Sequence, residues 1–164
     1  MQAFLFLLGL ALCAVSPSEE LVVEPQQNSC PLFWSIFSGR CYKYIATRFT
    51  WADAELLCLS QGGNLVSIRS QEEDNFVKTL IKNFDPAQGS AWIGLSDIHK
   101  EGTWMSSDGC AAKFFSWSSG EPNNHRRREN CVLINFGSAN KWNDVPCSNT
   151  YSSVCASRIT CDVT

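Results

Sequence analysis

Eight cysteines following a secretory leader pattern constrain this chain more than any other feature. The leader runs from Met1 to about Ser16. Its apolar run, Ala3 to Leu12, is too short for a membrane span. Small residues at Ala14, Ser16 and Ser18 suit cleavage within about 14–18, although only the α-amino group supplies positive charge before the run. Cys13 leaves with the leader, and Cys30, Cys41, Cys58, Cys110, Cys131, Cys147, Cys155 and Cys161 remain. An even cysteine count in a chain routed outside the cell reads as a disulfide framework. No Cys-x-x-Cys is present, which weakens a zinc or redox reading. Eight cysteines allow on the order of a hundred pairings, and the sequence alone leaves them open.

With 164 residues the chain can form one domain with a sizeable core. Residues 1–16 are expected to be the signal peptide, 17–29 a flexible lead-in, 30–158 the folded domain and 159–164 a tail. A net charge of -3 favours neither nucleic acid nor an anionic membrane surface as partner. Ser38-Gly39 between two apolar runs predicts a hairpin. Thr50 with Asp53, and Ser70 with Glu73, predict the starts of two helices. Trp51, Ala54, Leu57 and Cys58 mark the buried side of the first; Phe76, Val77, Leu80 and Ile81 mark that of the second. Gly62-Gly63 and Asp85-Pro86 end them. Leu65–Ile68 reads as a brief strand, and the continuous apolar run Ala91–Leu95 as a buried central strand, with Gly94 allowing close backbone approach. From Ser96 to Asn130 regular structure is scarce. A loop this long inside a compact domain usually carries function, and Trp104, Phe114, Phe115 and Trp117 are expected to give it a small core of its own. Strands resume at Cys131–Ile134, Lys141–Asp144 and Ser153–Ala156.

Five oxygen-bearing side chains, Glu121, Asn123, Glu129, Asn143 and Asp144, follow in and after that loop. Carboxylates and amides without soft ligands suit a hard cation such as Ca²⁺, which takes roughly 6–8 oxygens. In an extended segment Glu121 and Asn123 leave on the same side, with Pro122 fixing the backbone between them. A solvated polar loop is the alternative reading of the same residues.

Trp92-Ile93-Gly94-Leu95, Glu121-Pro122-Asn123, Trp142-Asn143-Asp144 and six cysteines in order together resemble the C-type lectin-like domain family, over Cys30 to about Cys155. The single-domain layout is also similar to small secreted fish lectins and type II antifreeze proteins. The resemblance implies an α+β fold: two helices flanking small antiparallel sheets, a long Ca²⁺-binding loop region, and disulfide staples. It implies the bridges Cys30–Cys41, Cys58–Cys155 and Cys131–Cys147. Cys110 and Cys161 lie outside that pattern; they either pair with each other or link two chains into a homo-oligomer. The family's principal Ca²⁺ and carbohydrate site falls on Glu121, Asn123, Glu129, Asn143 and Asp144, and the order Glu-Pro-Asn is the one the family uses for mannose-like sugars. Asp97, Glu101 and Asn130 are the candidates for an auxiliary metal site, which is weakened because Asn124 and Asn130 stand where carboxylates are usual. His125-Arg126-Arg127-Arg128 is either a solvated loop or a basic rim for sialylated, sulfated or phosphorylated glycans or an acidic protein.

The implied function is a secreted, extracellular, Ca²⁺-dependent lectin. Its partners would be mannose-like glycans on cell or microbial surfaces, in innate recognition or agglutination. The alternatives are an ice-binding protein using the same calcium loop, and a metal-independent protein ligand. An enzyme is not expected. Glu121 and Glu129 are better explained as ligands than as an acid/base pair, and no nucleophile–base motif or phosphate loop occurs.

Overall fold

The computed structural model describes residues 29–161. The expected signal peptide, most of the expected lead-in and the end of the expected tail lie outside the described residues. Strands β1 (Ser35–Phe37) and β2 (Arg40–Phe49) form the expected hairpin. Helix α1 (Trp51–Ser60) starts where Thr50 accepts the Asp53 N–H and donates its hydroxyl to the Asp53 carboxylate. Strand β3 (Gly63–Leu65) follows, then helix α2 (Gln71–Phe84), capped by Ser70. The remaining strands are β4 (Ala91–Ser96), β5 (Met105–Ser106), β6 (Cys131–Phe136), β7 (Lys141–Val145) and β8 (Tyr151–Ser157).

The strands join in one mixed sheet, in the order β1-β2-β8-β4-β6-β7, with β3 on β8 and β5 on β4. β4 runs parallel to β8 and antiparallel to β6. Every residue of β4 is buried, because the sheet is covered on both faces. On one face Val77, Leu80 and Ile81 of α2 pack with Ile93, Val132, Ile134, Trp142 and Val154. On the other, Ala54 and Cys58 of α1 pack with Leu65, Trp92 and Leu133. Gly94 is required where it stands: a Cβ there would collide with the Leu65 carbonyl and the Ser107 hydroxyl.

Leu65–Ile68 does not form the predicted strand. Pairing with β8 starts two residues earlier, at Gly63, whose missing Cβ lets the Ala156 carbonyl come close. Beyond Leu65 the backbone turns to other partners: Val66 donates to Val154 and accepts from Gly94, and the Ser67 carbonyl accepts from Arg40 at 2.8 Å.

Arg40 is itself buried. It donates to Glu73 Oε1 at 3.0 Å and to the Ser157 carbonyl at 3.1 Å, and lies 3.6 Å from Asp108 Oδ2. The Tyr42 hydroxyl donates to the same Glu73 oxygen at 2.7 Å. Burial, then the bond to Glu73, pushes the Tyr42 phenol well above its usual range. This cluster ties the hairpin, α2, the end of β8 and the start of the long loop to one another.

Four disulfides reinforce the frame. Cys30–Cys41 closes the hairpin, and Cys131–Cys147 joins the start of β6 to the turn after β7. Cys58–Cys155 staples α1 to β8 across a sequence separation of 97. Closing a loop of about 100 residues contributes about 4.7 kcal/mol in the chain-entropy model. Cys110 and Cys161 pair within the chain, with their Cα atoms 5.3 Å apart.

Candidate functional site

The site begins at β7. Trp142 is buried, and its indole N–H donates to Asp74 Oδ1 of α2 at 2.7 Å. Asp74 is fully buried and also accepts from Lys78 one helical turn on, at 2.5 Å. A buried carboxylate needs such partners. Here they fix the rotation of Trp142, and with it the strand carrying Asn143 and Asp144. The backbone of Trp142 then receives the loop. Its N–H donates to the Ser116 carbonyl, and its carbonyl accepts from the Ser118 N–H at 2.8 Å. Trp117 meets the Trp142 ring edge-on at 5.9 Å, Phe114 does so at 5.7 Å, and Trp104 lies 4.8 Å from Trp117. The loop aromatics therefore do not make a separate core as expected. Trp142 links Trp104, Phe114 and Trp117 to the main core on the α2 face, while Phe115 stays largely exposed.

Two residues past Ser118 the chain turns at Gly120 and enters Glu121-Pro122, a cis peptide bond. The next two amides close onto β7: Asn123 N–H donates to Asp144 Oδ1 at 3.0 Å, and Asn124 N–H to Asp144 Oδ2 at 2.8 Å. Asn124 is the hub of the segment. Its side-chain oxygen accepts the Glu129 N–H at 3.1 Å, and its side-chain nitrogen donates to Glu101 at 2.6 Å. Glu129 in turn accepts the His125 N–H at 2.7 Å.

Glu121, Asn123, Glu129 and Asp144 are thus brought together, with Asn143 next to Asp144 on β7. Burial raises the Glu121 carboxyl above its usual range, the Asp144 carboxylate and then Glu129 push it the same way, and the Asn123 amide opposes them. None of the ion pairs between described residues reaches Glu121, Glu129 or Asp144. Glu121 Oε2 and Asn143 Oδ1 are buried and accept no hydrogen bond. Buried acceptors are ordinarily satisfied. Among the described residues no three His, Cys, Asp or Glu side chains form a metal-holding group by themselves, so a cation here would depend on the Asn oxygens as well as the carboxylates. The Asp144 oxygens keep spare lone pairs beyond the two amides they accept. The donor set, hard and oxygen-only, with two unanswered acceptors and excess negative charge, fits Ca²⁺.

The auxiliary candidates lie on the far side of Asn124. Asp97 is buried; it accepts from Asn130 Nδ2 at 3.0 Å and from the Gly102 N–H at 2.8 Å. Glu101 is held by Asn124. Both carboxylates already have amide donors.

Residues 47–157 match the Lectin C-type domain family. The chain belongs to the C-type lectin family. This C-type lectin is 39% identical over 137 residues to lactose-binding lectin l-2 of Anguilla japonica, covering 81% of each chain. It is 37% identical over 138 residues to a mannose-binding C-type lectin isoform of Oxyuranus scutellatus, covering 82% of this chain and 87% of that one. Its fold matches the structure of the herring type II antifreeze protein with a TM-score of 0.74 at 34% identity, over 80% of this chain and 100% of that one. As a member of a family of carbohydrate-binding proteins, the C-type lectin is not an enzyme. Among its described residues no helix is long and apolar enough to cross a membrane.

Two residues that set the site were not singled out for that role in the sequence. Asp74 follows the capping Glu73 and reads as one more acid in a helix's first turn; its bond to Trp142 spans 68 positions. Asn124 reads in the sequence as a weakened metal position, whereas it binds Asp144, Glu129 and Glu101 and so joins both candidate sites.

Proposed function

We propose that this chain is a secreted, Ca²⁺-dependent carbohydrate-binding protein with mannose-type preference, acting in recognition or agglutination of cell or microbial surfaces. The observation that carries the reading is the buried, unanswered acceptor Glu121 Oε2 beside the carboxylates of Asp144 and Glu129, with a second such acceptor, Asn143 Oδ1, one residue before Asp144 on β7. Glu121, Asn123, Glu129, Asn143 and Asp144 would hold one ion, which when bound offers two further coordination places to vicinal sugar hydroxyls. Glu121 and Glu129 accept the hydroxyl protons, while Asn123 and Asn143 donate amide hydrogens to the same oxygens. The Glu-Pro-Asn order supports mannose-like sugars; the relatives carry both lactose and mannose in their names and do not decide between them. For Asp97, Glu101 and Asn130 we propose a hydrogen-bonded brace in place of a second ion, since Asn124 and Asn130 already answer the carboxylates. The leader pattern and the four disulfides support an extracellular location.

Calcium binding to the folded state alone stabilises it by about 2.7 kcal/mol at a hundredfold excess over Kd. Scanning calorimetry should therefore show Tm raised by several degrees in calcium relative to EDTA, and titration calorimetry should give one ion per chain. Superimposable melting curves would rule the ion out.

Likeness to the herring antifreeze protein favours ice binding as a second reading. Ice-binding faces are flat and weakly charged, and the three arginines beside the ligands speak against it. The retained ligand set speaks against a metal-independent protein ligand.

A further inference from the structure

The turn between Asn124 and Glu129 is a built feature rather than a slack loop. Its side chains, His125, Arg126, Arg127 and Arg128, are all exposed. None of the ion pairs between described residues includes one of them. Three adjacent like charges in a chain of net charge -3 repel one another. Arg126 (φ 58°) and Arg127 (φ 57°) sit in the left-handed region, where a Cβ crowds the backbone and Gly or Asn is the ordinary choice. The conformation is nonetheless pinned. Arg127 N–H donates to the Asn124 carbonyl at 2.8 Å, His125 N–H to Glu129, and Glu129 N–H to the Asn124 side chain. Both ends of the turn are fastened to residues of the proposed sugar site. Strained, self-repelling cations on a rigid backbone make sense with an anion against them.

We propose that Arg126, Arg127 and Arg128 form a subsite for a sulfate or phosphate ester carried by the glycan held at Glu121–Asp144. This rests on the reading of that site as a Ca²⁺-dependent sugar site. The guanidinium fork pairs two N–H groups with two oxygens of such an ester, which a carboxylate-only or neutral rim cannot do. The turn and the ligand Glu129 share hydrogen bonds, so the subsite keeps a fixed relation to the sugar.

The test uses the full mature chain and two probes, methyl mannoside and its 6-sulfate, titrated in calcium and in EDTA. In calcium and low salt the sulfated sugar should bind about five- to tenfold more tightly. That advantage should shrink toward 1 M salt, where the screening length is about 3 Å. Arg126→Gln/Arg127→Gln/Arg128→Gln should erase it while leaving affinity for methyl mannoside and the calcium shift in Tm unchanged. Arg126→Lys/Arg127→Lys/Arg128→Lys should keep part of it, showing that the turn still folds. Equal affinity for the two probes, or an advantage that survives the glutamine variant, overturns the subsite and leaves the sugar site standing. Sulfate binding that persists in EDTA overturns its coupling to that site. If neither probe binds in calcium, the underlying sugar-site reading fails, and the subsite with it.

Discussion

Arg40→Met should destabilise the domain by about 3–5 kcal/mol, the range for breaking a buried ion pair from one side. Two carboxylates would be left without their main counter-charge. Glu73 keeps the Tyr42 hydroxyl at 2.7 Å and the Arg69 N–H at 2.8 Å, and Asp108 keeps only a distant Arg69 guanidinium at 3.9 Å among its cations. Methionine fills most of the volume, so the loss is electrostatic rather than a cavity. Adding Glu73→Gln should recover part of it, because the pair then couples in a double-mutant cycle. Urea unfolding of the four proteins gives the coupling energy; a single-mutant cost below about 1 kcal/mol would place Arg40 among weak surface pairs instead. The effect should also reach the long loop, since the same guanidinium holds Ser67 and lies against Asp108, two residues before Cys110 and its bridge to Cys161.

Glu121→Gln/Asn123→Asp should reverse sugar preference while sparing calcium. One carboxylate is lost and another gained, so the summed ligand charge and donor count stay the same. The hydrogen-bond polarity does not: where Glu121 accepts, glutamine donates, and where Asn123 donates, aspartate only accepts. Each mispaired contact costs about 1–3 kcal/mol, so mannose-like ligands should lose tenfold or more in affinity and galactose-like ligands should gain. Titration of both sugars against both proteins at fixed calcium measures it. A double mutant that still binds calcium and still prefers mannose would mean that the sugar is not held through these two residues.

The parts of the molecule legible in the sequence are those governed by local chemistry. Thr50 and Ser70 cap helices because their hydroxyls meet amides three residues on, a relation visible in any sequence. Ala91–Leu95 is buried on both faces, and its unbroken apolar run says so. The oxygen donors of the site were recognisable by type, and Cys58 with Cys155 by resemblance. What was hidden depends on distant partners. Arg40 lies beside the Ser38-Gly39 turn and nothing local marks it as buried, yet Glu73, Ser67 and Ser157 meet around it. Asp74 finds Trp142 across the sheet. The loop aromatics join the main core because Trp142 accepts the loop along its backbone and meets both Phe114 and Trp117 in T-shaped ring contacts. Whether Cys110 and Cys161 bridge within one chain or between two depends on the path of the tail, which no spacing encodes; the structure brings them together in one chain.

We propose that calcium held by Glu121, Asn123, Glu129, Asn143 and Asp144 presents a mannose-like sugar to this surface. A glycan array probed with the mature protein in calcium and again in EDTA tests it most directly. Mannose-terminated glycans should bind in calcium, be lost in EDTA and bind again when calcium is restored. Glycan binding that EDTA leaves unchanged, or no glycan bound in calcium, would contradict it.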